Sequence, residues 1–365
     1  MSELPISTIV GGAAFVAGLI FGATAQRTNF CTMGALSDIV FMGDWRRFRA
    51  WMLALSVAMI GSQALHHFGM VDLGKSIYLS GPLAWAGAII GGLLFGFGMT
   101  LAGGCGNKTL VRIGGGNLKS LVTFLMVGLF AYMTLKGLIG LGRVQIEALT
   151  NITVTGKAAN QGIPALLTAL GLSEALARWL VVAVVAGGLL VFCFKDEEFR
   201  AAPHDIWGGL IIGLMVPAGW WITGVMGADD FDPTPLSSFT FVAPIGDSMM
   251  YLMTFTGSTI NFGIAAVGGV IFGSFLSSAT AKKFSLEAFS DTADMGRHLI
   301  GAAMMGTGGV MAMGCTIGQG LTGISTLSAT SFFALFAILF GGIWGLKYME
   351  EGSVGAALKA VFSRG

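Results

Sequence analysis

Three cysteines stand in glycine-rich, almost uncharged surroundings: Cys31 follows Gln26-Arg27-Thr28-Asn29-Phe30, Cys105 lies between Gly104 and Gly106, and Cys315 lies between Gly314 and Thr316. A neutral thiol is a soft, polarizable group that donates a weak hydrogen bond, so it suits an anion with a soft atom; a thiolate would repel one. Hydrogen-bonding residues follow closely. Asn107, Lys108, Thr109 and Arg112 come after Cys105, Gln319 and Thr322 come after Cys315, and Arg27 precedes Cys31. A single cysteine inside a membrane protein is ordinarily a small packing residue, and Cys193, beside Phe192 and Phe194, is expected to be one. The recurrence of the glycine-flanked context marks Cys105 and Cys315 as functional, and Cys31 lies in a third such element that leaves the first helix without an obvious hydrophilic loop. No CxxC pairing links the four, which argues against a zinc site or a disulfide scaffold.

Composition decides what kind of element carries these residues. The 365-residue chain has 20 Lys and Arg, 19 Asp and Glu, 54% hydrophobic residues and a mean hydropathy of +0.80. So little charge cannot cover a soluble globule of this size, where roughly 25% of residues are charged. Apolar stretches near the roughly 20 residues needed to span a bilayer define an all-α integral membrane protein. Nucleic-acid binding and a soluble dinucleotide-binding enzyme are excluded first. The 57 glycines recur inside the apolar stretches, which predicts helices whose backbones approach closely. The amino terminus lacks the basic region of a signal peptide, so the first apolar segment is expected to stay in the protein.

Nine transmembrane helices are predicted near residues 6–25, 50–66, 83–102, 118–141, 177–194, 206–225, 260–280, 299–314 and 329–346. Residues 163–171 and 249–256 are too short to span and read as re-entrant or interfacial pieces, as does the amphipathic tail at 354–362. Arg46, Arg47 and Arg49, Lys195 and Arg200, and Lys282 and Lys283 mark cytoplasmic ends, whereas Asp229, Asp230 and Asp232 mark the opposite side. Nine spans then put the N-terminus in the periplasm and the C-terminus in the cytoplasm.

The chain also matches itself. Residues 96–105 read GFGMTLAGGC and residues 306–315 read GTGGVMAMGC, sharing Gly, Gly, Ala, Gly and Cys at equal positions. Coincidence among glycines is the competing account, but cysteine is rare here and recurs at the same place. Gly11-Gly12 and Gly208-Gly209 align more weakly at the heads of the first and sixth helices. Two halves, 1–200 and 201–365, separated by five spans, would be antiparallel, as in transporters built from inverted repeats. Each repeated cysteine sits where a helix breaks. Broken backbone at membrane depth survives only when it lines a cavity or is buried in protein, and the free N–H groups of the next half-helix favour an anion.

Other motifs fail. Gly106-Asn107-Lys108-Thr109 resembles a phosphate loop but has Asn107 where the glycine before the lysine is required, and the four histidines lack metalloprotease spacing. The 20 methionines are scattered. No cofactor or metal site is expected.

QRTNFCTMGALSD (26–38), LAGGCGNKTLVRIG (101–114) and GCTIGQGLTG (314–323) together resemble elements of the YeeE/YedE family of membrane sulfur transporters. The resemblance covers the full length. It implies nine helices in two halves with loops dipping toward the membrane middle, uptake of thiosulfate, a pathway role for Cys31, Cys105 and Cys315, and a small soluble sulfur-carrier protein with a reactive cysteine as partner. Ala312-Met313-Gly314-Cys315 departs from the family's A-G-G-C element, and Lys108 stands where many relatives are neutral. The expectation is a bacterial cytoplasmic-membrane importer of thiosulfate or a related sulfur oxyanion, with Arg27 and Lys108 balancing the oxygens. Another sulfur or selenium species, a membrane thiol-disulfide oxidoreductase and a soft-metal transporter are the alternatives.

Overall fold

The computed structural model describes residues 5–153, 160–229 and 234–362. Among them there is no β-strand, only isolated bridges such as Asn117 with Glu287 and Gly162 with Ser328. In chain order, α1 (Ile6–Thr28) turns directly into α2 (Thr32–Met42), and α3 (Arg46–His67) returns across the bundle. After the one-turn α4 (Ile77–Ser80) come α5 (Trp85–Leu101), the half-length α6 (Gly106–Gly114) and α7 (Leu118–Leu135). The connection through α8 (Leu138–Thr150) and α9 (Ile163–Ala169) reaches α10 (Glu174–Phe194), then α11 (Glu197–Arg200) and α12 (Pro203–Trp221), which continues as a π-wound turn at Ile222–Met226. The chain closes with α13 (Val242–Met253), α14 (Phe262–Thr280), α15 (Thr292–Met311), a second π-wound stretch at Gly318–Gly323, α16 (Ala329–Glu351) and the amphipathic α17 (Val354–Phe362).

Among the described residues, eight stretches are long and apolar enough to cross a membrane: α1 with α2, α3, α5 with α6, α7, α10, α12 with its π turn, α14 and α16. The eighth expected span, α15, has the length but starts earlier than its apolar stretch, because Asp291 caps it by accepting from the Asp294 N–H, and its first two turns carry Asp294, Arg297 and His298. It packs within the bundle, between α5 and α7. The fourth expected helix stops at Leu135 instead of 141; Lys136-Gly137 interrupts it, and α8 begins afresh. Residues 249–256 are not a separate piece but mostly the end of α13. Asp230 and Asp232, expected to mark one face of the membrane, lie outside the described residues.

Glycine sets the packing. α1 runs along α14 in parallel, with Gly18 against Ala266 and Gly22 against Val270; a Cβ at Gly22 would stand 2.1 Å from the Val270 carbonyl oxygen, so only glycine permits this approach. α3 and α12 are parallel in the same way, with Gly209 against Ala50 and Gly213 against Ala54. α5 runs parallel to α16 and antiparallel to α15, where Gly98 meets Gly301 and Gly91 meets Gly308. The short elements α2, α6, α13 and Gly318–Gly323 fill the spaces between these seams and hold the three cysteines among them.

Candidate functional site

Each of the three cysteines starts a short helical element just after a tight reversal. α1 ends at Asn29, whose φ of 55° is left-handed, and two residues later Cys31 caps α2, its Sγ accepting from the Gly34 N–H at 3.5 Å. α5 ends through Gly103, φ 67°, and Cys105 is the residue before α6, where its carbonyl accepts from the Thr109 N–H at 2.9 Å and the Thr109 hydroxyl at 3.1 Å. α15 ends through Met313, φ 55°, and the Cys315 Sγ accepts from the Gly318 N–H at 3.4 Å. Gly103 and Met313 therefore hold equivalent places in the two decapeptides and share a left-handed backbone that glycine adopts freely and methionine does not.

The fold brings these breaks together. The thiols of Cys31 and Cys105 are close neighbours, and the Thr316 hydroxyl, next to Cys315, lies near Cys105. All four cysteines are buried free thiols. Cys193 stands apart: its Sγ donates to the Arg49 carbonyl at 3.2 Å, which ties α10 to α3 and matches its expected packing role.

Polar atoms around the thiols are left without partners. Thr32 Oγ1, both amide atoms of Asn107, Thr316 Oγ1 and Gln319 Oε1 are buried with no hydrogen bond. Each belongs to the first turn after one of the three cysteines. An unsatisfied buried polar group costs about 1–3 kcal/mol, and natural proteins carry few of them. Five such atoms lie beside the N-terminal N–H groups of α2 and α6, where the helix ends carry partial positive charge. Gln319 is held in place by its own Nε2, which donates to the Ala312 carbonyl. Gly104, Gly106 and Gly314 are buried in the same turns. Thr109 and Thr322 donate to backbone carbonyls of Cys105 and Phe239, so they brace the breaks and do not line them.

Positive charge gathers at one end of this set of atoms. Lys108 donates through Nζ to Asn29 Oδ1 and has no carboxylate partner among the described residues. The Arg112 Nη1 donates to the Gly103 carbonyl at 2.7 Å. Arg47 donates to Asp38 at 2.7 Å and to the Asn29 carbonyl at 3.2 Å. Arg27 is exposed in the last turn of α1 and bonds to none of these groups. The cation beside Cys31 is thus Arg47, a residue the sequence pattern offers only as an orientation signal. Its buried partner Asp38, in an otherwise apolar α2, was the available clue. The described residues hold no cluster of His, Cys, Asp or Glu able to bind a metal ion.

A family model described as sulphur transport matches residues 27–344, a span that contains Cys31, Cys105 and Cys315. The chain belongs to the sulphur-transport family. It is 25% identical over 357 residues to the thiosulfate transporter TsuA of Escherichia coli, covering 94% of this chain and 95% of that protein. With the thiosulfate transporter TsuA of Spirochaeta thermophila the identity is 27% over 337 residues, covering 91% and 96%. The probable transporter YedE of Escherichia coli is 36% identical over 103 residues, 28% of this chain and 23% of that protein. Family and relatives are transporters, so the chain is a multi-pass membrane transport protein and not an enzyme.

Proposed function

We propose that this chain imports thiosulfate across the bacterial cytoplasmic membrane along Cys315, Cys105 and Cys31. The observation that carries the reading is the buried set of unpartnered polar atoms, among them the donors Thr32 Oγ1, Asn107 Nδ2 and Thr316 Oγ1, beside three thiols and drawn from both halves of the chain. Thiols meet the soft terminal sulfur, while Asn107, Thr32, Thr316 and the ends of α2 and α6 replace water around the oxygens. The order follows from helix direction. α5 and α15 are antiparallel, and each breaks at its C-terminal end, so Cys105 lies toward the end of the bundle bearing Arg46 and Cys315 toward the other. Lys108, Arg47 and Arg112 then receive the anion on the basic, cytoplasmic side, which is also where a soluble sulfur carrier would meet it.

Pairing of helices supports an inverted repeat. Exchanging α1 with α12, α3 with α14, α5 with α15, and α7 with α16 turns the contact of α1 with α14 into that of α12 with α3, and the contact of α5 with α16 into that of α15 with α7. The same exchange maps α2 onto α13 and α6 onto Gly318–Gly323. Moving a dianion inward against 100 mV costs about 4.6 kcal/mol, so uptake needs coupling or consumption of the product inside.

Radiolabelled thiosulfate uptake by cells lacking other sulfur importers tests the substrate; no uptake above the empty background, with the protein in the membrane, would remove it. Single cysteines at Arg46 and at Asp229 in a cysteine-free background test orientation, since an impermeant maleimide added to whole cells should label only the second. The nearness of Cys31 and Cys105 also favours a thiol-disulfide reading. Under mild oxidation a Cys31–Cys105 disulfide that forms during turnover and is required for it would support that chemistry over passage of an intact anion.

A further inference from the structure

A groove of about 670 Å³ opens on the outer surface of the bundle where α1, α6, α7 and α14 meet, lined by Phe15, Leu121, Phe272 and Phe275, with Ile113 and Gly114 of α6 as part of its floor. Its position is unusual for the site element it touches. The Cys315 break is buried on every side, whereas the C-terminal end of α6, the half-helix that starts at Cys105, is open to the bilayer through this groove.

Two lysines adjoin the mouth of the groove in sequence. Phe284 lines it and meets the Phe275 ring edge-on at 5.7 Å, and Lys282 and Lys283 directly precede Phe284, just past the end of α14. Both lysines are exposed, and neither has an ion-pair partner among the described residues. The nearby Glu287 is held by Asn117, and Lys119 by Asp294. The segment carrying the groove wall is tied to α6, through Ser285 N–H to the Gly115 carbonyl at 3.2 Å and Leu118 N–H to the Glu287 carbonyl at 2.8 Å.

We propose that the groove is a binding site for one anionic phospholipid, its acyl chain against α1, α6 and α14 and its headgroup on Lys282 and Lys283. Inside a membrane, burial against lipid tails gives no preference for one chain over another, so selection must come from the headgroup. Lysines near the bilayer surface supply it by attraction to anionic lipid. A second copy of the chain is the weaker occupant, because pairing this face with itself would bring two unpaired lysine pairs together. The bound chain completes the packing around Ile113 and Gly114 and so steadies the base of α6, which carries Cys105 at its other end.

Native mass spectrometry of the full chain, exchanged into mixed phosphatidylglycerol and phosphatidylcholine, tests the site directly. The unmodified protein should retain phosphatidylglycerol, and K282Q/K283Q should lose about 30-fold of that preference, roughly fivefold per lysine. Gly268→Leu fills the groove, since a Cβ there meets only the Phe15 ring at 3.9 Å, and should abolish retention while the protein stays folded. Equal retention by all three proteins would overturn the proposal. So would a Gly268→Leu protein that changes from dimer to monomer with its phosphatidylglycerol unaltered, an outcome that assigns the groove to a second copy. These readouts need no transported substrate, so a failed thiosulfate assay would leave the lipid site standing.

Discussion

The break at Cys105 and the break at Cys315 share a sequence template and differ in almost everything built on it. After Cys105 the chain forms an α-helix with Lys108 and Arg112 on it, half-open at its far end. After Cys315 it winds as a π-helix with no charge, and every residue from Gly314 to Ser328 is buried. That second turn is clamped from several directions. Thr322 donates to the Phe239 carbonyl at 2.6 Å, Gln63 to the Ser325 carbonyl at 2.7 Å, and Trp51 stands 2.6 Å from where a Cβ on Gly320 would be. Under the proposed function the two turns would divide the work: the rigid neutral one discriminates by shape and softness, and the charged one attracts and releases.

The largest effect should come from Cys105, which lies close to both Cys31 and Thr316. Cys105→Ala is expected to reduce thiosulfate uptake about 100-fold or more, the scale of losing hydrogen bonds to a charged group, with normal protein in the membrane. Cys193→Ala should leave uptake unchanged and cost only the roughly 1 kcal/mol of its bond to Arg49. Near-normal uptake by the first variant would take Cys105 off the path.

Next comes charge. Lys108→Gln should raise the thiosulfate concentration for half-maximal uptake about tenfold, through loss of a charged hydrogen-bond donor. The second break has no charge to remove, so Gln319→Leu should instead lower the maximal rate; the opposite pattern in uptake kinetics would reverse the assigned roles.

Softness should be visible at Cys315. Sulfate presents only strongly hydrated oxygens, which weak S–H donors cannot resolvate, so excess sulfate should compete poorly with thiosulfate. Cys315→Ser keeps a donor but hardens it, and is expected to slow uptake and narrow the preference. If sulfate blocks the unmodified protein as well as unlabelled thiosulfate does, recognition of sulfur is absent and the turns act as a general anion passage.

Met313 gives a smaller effect and a change of sign. Met313→Gly restores the residue that its partner Gly103 has, relieves a left-handed methionine and should raise thermal stability by about 1 kcal/mol in a detergent melt. A lower melting temperature would mean that the thioether's packing outweighs the backbone strain.

The smallest effect lies outside the membrane. Asp44 accepts from Arg46 at 2.6 Å in the turn between α2 and α3, and that guanidinium holds its carboxyl below the usual carboxylate range. The contribution is present above the unfolded value of about 4 and is lost as pH falls through the lowered folded value. Asp44→Asn should therefore change stability by less than about 1 kcal/mol and leave uptake flat between roughly pH 5 and 8.

Much of this was legible in the residues. Long apolar windows are hard to disguise in lipid, so the main helices fall within a few residues of their expected places, and glycine next to a rare cysteine announced the breaks at Cys105 and Cys315. Shorter elements were not legible for stated reasons. α2 is too short and too like its neighbours to separate from α1 by hydropathy, while α15 extends through a polar start because Asp291 caps it and Lys119 pairs with Asp294. Arg47 could not be assigned to the site because its partners, Asp38 and Asn29, meet it only after two chain reversals. Arg27, adjacent in sequence, faces away. π winding at Gly318–Gly323 leaves no periodicity to read in a stretch of mostly small residues.

The glycine seams set a limit on how turnover can occur. Where Gly22 lies on Val270 and Gly273 on Leu19, backbone is already at contact distance, and sliding one helix past the other would drive side chains into carbonyl groups. Wholesale rocking along these seams is therefore resisted, and what remains free to change is local: thiol rotamers, the Lys108 ammonium leaving Asn29, and the open end of α6. Such motions relax in nanoseconds to microseconds, far faster than rearrangement of whole domains. On the proposed path, a protein assembled this way would work less like a hinged gate and more like a set of stepping stones in a fixed frame.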